Sequence, residues 1–179
     1  DTSESMLAED FKPKNRLEVA LSTVKDFIQK REHDQLGLVV FGSEAYTQCP
    51  LTMDYNILFG LIDNVHINMA GGGTAIGMAM ATALNRLKDQ ETASKIIVLV
   101  TDGENNTGDI SPLGAAKLAK DIGVKVYTIG IGKDGPVPIP YHHVVYGKQY
   151  TKMMSQLDEK TLREIAQMTG GSFFRADNE

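Results

Sequence analysis

Between Arg16 and Arg31, apolar residues fall at Leu17, Ala20, Leu21, Val24, Phe27 and Ile28, the i, i+3, i+4, i+7 spacing of one helical face. Directly after this predicted helix, Leu36-Gly37-Leu38-Val39-Val40-Phe41 is a nearly continuous apolar run closed by Gly42, the pattern of a strand buried on both faces of a parallel sheet. The alternation then repeats. Ile76, Met80, Ala83, Leu84 and Leu87 mark a second helical face, and Lys95 to Val100 a second buried strand, stopped by Thr101-Asp102-Gly103. Leu113 to Ile122 predicts a helix and Val124 to Ile129 a third strand, ended by Gly130-Ile131-Gly132. A last helix near Glu159 to Met168 stops at Gly170-Gly171, before a short strand from Ser172 to Arg175. Strands alternating with helices of this length predict an α/β domain with a mostly parallel sheet covered on both faces.

Residues 133–152 break that rhythm. Pro136, Pro138 and Pro140 rule out a central strand, so the segment reads as a surface excursion or edge hairpin. With 179 residues, 42% of them hydrophobic, the chain fits one compact domain over residues 1–179 and excludes disorder. A formal charge of -5 without basic clusters argues against nucleic acid as partner. Cys49 alone excludes an internal disulfide or a thiolate zinc cage, and the longest apolar runs are strand-sized, too short to span a bilayer.

In a parallel α/β sheet, ligands sit beyond the carboxyl ends of the strands. Three loops meet that description: Asp1-Thr2-Ser3-Glu4-Ser5, Gly71-Gly72-Gly73-Thr74 and Thr101-Asp102-Gly103-Glu104. Together they offer the carboxylates of Asp1 and Asp102 and the hydroxyls of Ser3, Ser5 and Thr74, all hard oxygen donors. Such a set suits Mg²⁺ or Mn²⁺, which take oxygen ligands, keep some water and need one or two carboxylates.

Asp-x-Ser-x-Ser, a distant Gly-Thr, and Thr-Asp-Gly after an apolar strand resemble the metal-ion-dependent adhesion site of von Willebrand factor type A domains. The segment Ser5 to Pro13 with Arg16-Leu17, the insertion Pro138-Ile139-Pro140-Tyr141, and Leu157-Asp158-Glu159 with Thr169-Gly170-Gly171 are similar to bacterial aerotolerance-operon members of the BatA/BatB type. The resemblance implies a three-layer Rossmann-like sandwich with a metal shell of Asp1, Ser3, Ser5, Thr74 and Asp102 holding Mg²⁺, Mn²⁺ or Ca²⁺. It implies binding without turnover: a partner's acidic side chain completes the coordination of a dication that two carboxylates leave incompletely neutralised. It further implies a membrane-anchored protein with this domain on the periplasmic or extracytoplasmic side, contacting the membrane only through flanking segments. The role implied is in oxidative or envelope stress tolerance, with a MoxR-type AAA+ ATPase or other Bat-type proteins as partners.

Two departures stand out. Glu4 puts a carboxylate where many members carry Gly or Asn, which would tighten cation binding or repel an acidic ligand. Members also place a central apolar strand before the first Asp, so a sheet built from Asp1 onward is expected to have a gap in its middle and a charged α-amine beside the metal. The expectation is a domain that starts upstream of Asp1.

Blander readings compete. Asp1, Ser3 and Ser5 would serve as a frayed terminus or helix cap, Thr74 would cap the following helix, and Asp102-Gly103 would simply turn. No Gly-Lys-Ser/Thr follows Gly71-Gly72-Gly73, so a phosphate loop is not supported. His142 and His143 are adjacent and would point to opposite faces of a strand, reading as loop histidines, and Cys49 reads as a packed side chain. The enzymatic alternative is a Mg²⁺-dependent phosphotransferase or hydrolase with Asp1 as nucleophile; it would want a second Asp at position 3, where Ser3 stands. A structural domain with a degenerate site is the other alternative.

Overall fold

The computed structural model describes residues 1–176. A 3-10 turn at Glu4–Leu7 precedes α1 (Arg16–Gln29), β1 (Leu36–Phe41), β2 (Ala45–Thr52), α2 (Tyr55–Asp63) and α3 (Ile76–Leu87). Then come β3 (Lys95–Thr101), α4 (Pro112–Asp121), β4 (Val124–Ile131), β5 (Gly135–His143), β6 (Gly147–Ser155), α5 (Glu159–Thr169) and β7 (Phe173–Ala176).

The helices begin where capping side chains satisfy their free amides. Asn15 and Glu18 form a reciprocal capping box on α1, Asp54 accepts from the Asn56 and Ile57 amides of α2, and Ser111 accepts from Gly114 in α4. Asp158 caps α5, which ends at Gly170 in the left-handed conformation, φ 74°.

Strands β3, β4 and β7 form a parallel sheet in the order β3-β4-β7. On one face, α3, α4 and α5 bury Met80, Leu84, Leu162 and Ile165 against Ile97, Leu99 and Val126. On the other, α1 packs Leu17 and Ala20 with Val40, Val100 and Ile131, and α2 adds Leu58 and Ile62 against Ile28 and Cys49. Helices thus cover both faces, as the alternation of elements predicted.

Two expectations are corrected. Leu36–Phe41 is not in the parallel sheet: it pairs antiparallel with Ala45–Thr52, a strand whose polar Thr47 and Gln48 and Pro50 hid it, and only Val40 and Phe41 are buried. Nor is Lys95–Thr101 buried on both faces, because Ile96 is 46% and Val98 37% exposed. Both differences lie along one line, between β1 and β3, where these two strands are not paired with one another. There the first two residues bridge the strands' carboxyl ends, the Asp1 amine donating to the Val100 carbonyl at 3.3 Å and the Thr2 amide to that of Phe41 at 2.7 Å.

The excursion at 133–152 is the hairpin β5–β6, in unbroken register from Gly135 with Ser155 to His143 with Gly147. Its prolines stand at alternate positions of β5, opposite Met154, Lys152 and Tyr150. Alternate residues of an antiparallel strand direct their N–H away from the partner, so proline there breaks no ladder bond and leaves the outer edge short of donors. The Pro138 carbonyl does face outward and accepts from the Glu9 amide at 2.9 Å.

Candidate metal centre

The three predicted loops converge at the carboxyl ends of β1 and β3. Asp1 is held from two sides: its Oδ1 accepts the Ser3 amide at 2.9 Å and its Oδ2 the Thr101 hydroxyl at 2.5 Å. Ser5 Oγ lies 2.8 Å from Asp102 Oδ1 and must donate to it, so the 3.0 Å contact between the Ser3 and Ser5 hydroxyls has Ser3 as donor. A proton-ordered line from Ser3 through Ser5 to Asp102 therefore joins residues 97 apart in sequence. Thr74 is buried, and a Cβ placed on Gly103 would stand 3.8 Å from its Oγ1, which puts that hydroxyl beside the Asp102 loop. All five predicted residues are thus brought to one locality.

Particular contacts bear on the blander readings of these five residues. Ser3 precedes the 3-10 turn without a side-chain capping bond, and Thr2 and Ser3 are each only 1% exposed, so this is no frayed terminus. The cap position of α3 belongs to Ala75 and no side chain caps it, leaving the Thr74 hydroxyl free of that duty. Asp102 is buried, its oxygens committed to Ser5 and to an arginine. Glu4 accepts from Asn68 Nδ2 at 3.3 Å, and its carboxyl carbon would stand 3.4 Å from a Cβ placed on Gly72 of the middle loop. The Asp1 amine is buried as well, and burial pushes it down to about 5 against the opposing pull of Asp102.

Arg16 was not singled out for the site from the sequence, because a charged residue in the first turn of an amphipathic helix looks solvated. Its side chain is fully buried. Nη1 donates to Asp102 Oδ2 at 2.8 Å, Nη2 and Nε grip Asp10 at 2.7 and 3.0 Å, and Nη2 also reaches Ser155 Oγ at 3.0 Å at the hairpin root. Gly132 makes room for it, since a Cβ there would fall 2.5 Å from the guanidinium carbon. Burial works against the charge of Arg16, but Asp10 and Asp102 outweigh it and raise its pKa further. Burial likewise works to raise Asp10, and the Arg16 and Lys133 N–H bonds outweigh it, holding that carboxyl below its ordinary range.

The backbone of the middle loop is fixed by polar groups other than the five. Ser43 Oγ accepts the Gly73 amide at 2.8 Å and Asn106 Oδ1 the Thr74 amide at 2.9 Å. Among the described residues no three His, Cys, Asp or Glu side chains cluster as a cage. The donors gathered here are two carboxylates and three hydroxyls, a set that fits a hard dication and not a soft one.

The sequence matches the von Willebrand factor type A domain across residues 1–179, and the chain belongs to that family. Within it, the chain resembles the Bat type. It superimposes on BatB from Bacteroides thetaiotaomicron with TM-score 0.87 at 33% identity, covering 100% of this chain and 88% of that one. An aerotolerance-related membrane protein from Bacteroides fragilis gives TM-score 0.86, also at 33% identity, covering 99% and 88%. An uncharacterized protein of Borreliella burgdorferi is 34% identical over 180 residues, all of this chain but 52% of that protein, so the chain spans about half the length of that relative.

Proposed function

We propose that this domain captures a protein partner through a divalent cation held by Asp1, Ser3, Ser5, Thr74 and Asp102. The observation that carries the reading is the 2.8 Å contact of Ser5 with Asp102, which draws the first and third loops together. Mg²⁺ or Mn²⁺ fits this donor set best, with Ca²⁺ the other hard candidate, and would supply positive charge for a partner's carboxylate. Asp1 and Asp102 supply the negative charge that draws the cation in, and the neutral hydroxyls keep that charge low enough for a further anion to be attracted. Arg16 holds Asp102 in place without closing its Ser5-facing oxygen.

A MoxR-type ATPase or another Bat-type protein is the partner class to try first. The aerotolerance-related membrane protein among the relatives supports placing the domain in a membrane-anchored protein of oxidative or envelope stress tolerance, and the extracytoplasmic side belongs to the same proposal. No helix of the described residues is long and apolar enough to cross a membrane, so such an anchor would lie in flanking segments.

Phosphoryl transfer finds less support. Lys95 donates to the Lys88 carbonyl at the far end of β3 from Asp102, roughly 20 Å away at 3.3 Å per strand residue. Lys117 lies on α4, exposed and outside the cluster.

The test is a thermal-shift titration with Mg²⁺ and with Mn²⁺ on the parent and on Asp102→Asn. At a hundredfold excess over Kd, a cation stabilises by about 2.7 kcal/mol, roughly 5–11 °C for a domain of this size. The reading requires that shift in the parent and its loss in the variant, whatever the variant's starting Tm. A parent that does not respond to either ion refutes it.

A further inference from the structure

The hairpin β5–β6 ends in residues that face no part of the domain. Val144 is 96%, Val145 76% and Tyr146 73% exposed, filling a turn where Asn, Asp or Gly would ordinarily stand. Behind the tip, Tyr141 and Tyr150 are about half exposed, one on each strand. Lys148, Tyr150 and Lys152 alternate along β6 and so share one face. Lys12, from the loop before α1, places its amine 5.4 Å from the Tyr150 ring, and Lys148 lies 5.3 Å from the same ring.

The charge of this arm is set against that of the rest of the chain. Residues 135–155 contain two lysines and neither Asp nor Glu, in a protein with 23 acidic residues and a net charge of -5. The acid that reaches the arm is Glu9, which accepts from Lys148 at 2.6 Å and from Tyr150 at 2.8 Å. Lys12 and Lys152 thus remain as positive charge behind the tip. An apolar tip, tyrosines at the next level and lysines behind them is the order in which side chains meet the hydrocarbon, interface and headgroups of a bilayer. The alternative of adding a strand to the arm is opposed by Pro136, Pro138 and Pro140, which strip donors from the outer edge of β5.

We propose that the β5–β6 hairpin docks the domain on an anionic lipid surface, with Val144, Val145 and Tyr146 entering the interface and Lys12 and Lys152 facing the headgroups. The docking is independent of the metal centre. At the hairpin root Arg16 touches both Ser155 and Asp102, so the docked arm and the metal loops meet at one buried side chain.

The experiment is vesicle co-sedimentation of the chain in EDTA, which keeps the metal reading out of the result. Vesicles of phosphatidylcholine alone are compared with an equimolar mixture with phosphatidylglycerol, at low and high salt. Binding is expected on the anionic vesicles, weakened by salt, and roughly fivefold weaker for each lysine changed in K12Q and K152Q. V144D/V145D, placed where side chains are almost wholly in water, should fold with the parent's Tm and bind at least roughly tenfold more weakly. The chain has no tryptophan, so V145W gives an insertion signal free of background: a blue shift with anionic vesicles and quenching by brominated lipid. The proposal is overturned by no sedimentation with anionic vesicles, by equal binding to neutral ones, by a V144D/V145D variant that binds like the parent, or by V145W fluorescence that does not move. Self-association abolished by V144D/V145D without vesicle binding would assign the tip to a second copy and overturn it equally.

Discussion

Replacing Arg16 by Met keeps most of the side chain's volume and removes its charge. In the parent, the guanidinium pairs with Asp10 and Asp102, whose side chains are 3% and 0% exposed. Removing one partner from a buried pair costs about 3–5 kcal/mol, because the other charge stays behind without compensation. Here two carboxylates stay behind, one still bonded to Ser5 and the other to the Lys133 amide, so about 3–5 kcal/mol is the expected total. For a domain of this size that is a Tm roughly 6–20 °C lower. The pH dependence identifies the cause. Asp10 titrates below its ordinary range in the parent, so its contribution is complete above the unfolded carboxyl pKa and fades as pH falls through the folded one. In Arg16→Met only burial and the remaining N–H bond act on it, and protonation relieves the uncompensated charge. The gap between parent and variant should therefore narrow from about pH 7 to about pH 4.5. Scanning calorimetry of both proteins across that range is the assay. A variant within about 2 °C of the parent at neutral pH, well short of the expected loss, or a gap that does not change with pH, refutes the account of Arg16 as a buried electrostatic keystone.

Other perturbations follow from single contacts. Gly42→Ala would place a Cβ 2.1 Å from the Gly71 carbonyl oxygen, so urea unfolding should show a loss of about 1–3 kcal/mol and the loop carrying Thr74 should shift. Gly60→Ala, inside α2 with nothing within 4 Å of the new Cβ, should instead gain about 0.5–1 kcal/mol in the same measurement. Glu159 is held below its ordinary range by Arg163 and Arg175, and Asp134 by the Leu157 amide and Arg175. Their contribution is present above the unfolded carboxyl pKa and lost in acid, so Arg175→Gln should flatten the acid limb of a stability-against-pH curve. The Cys49 thiol is buried and its pKa is raised by burial, so a thiol reagent should react with it only on unfolding, and a fast reaction in native buffer would contradict that placement.

Elements whose side chains repeat with a strong period were legible in the sequence. Arg16–Gln29, Ile76–Leu87, Pro112–Asp121 and Glu159–Thr169 were found within one or two residues of their bounds, because each buries one face against a sheet. Strand β2 was hidden because Ala45–Thr52 is mostly half-buried and its polar residues break any alternation. Helix α2 was hidden by brevity, although Asp54 marks its start. The exposure of Ile96 and Val98 was misread because an apolar run reports what a strand is able to bury and not what covers it. The convergence of the three loops that carry the five residues was legible because loops at strand ends converge in this class of fold. Arg16, Asp10, Thr101, Asn106 and Ser43 were not, since their roles arise from partners as far as 100 positions away.

The support beneath the three loops comes from the chain's own contacts. The Thr2 amide and hydroxyl both bond to the Phe41 carbonyl, and the Thr2 carbonyl accepts from Asn68. The amides of Gly73 and Thr74 are fixed by Ser43 and Asn106, and Asp102 by Arg16. None of these bonds passes through a metal, and most leave the five oxygen-bearing side chains alone. In small zinc domains the metal's binding energy is also the folding energy; here the loops are already folded around their own backbone contacts. A chelator should therefore leave near-UV circular dichroism intact and lower Tm only by the mass-action amount, while cation-dependent partner binding disappears. Loss of native circular dichroism in EDTA would show that the cation holds the loops together, and the site would then be a structural clamp instead of a reversible docking point.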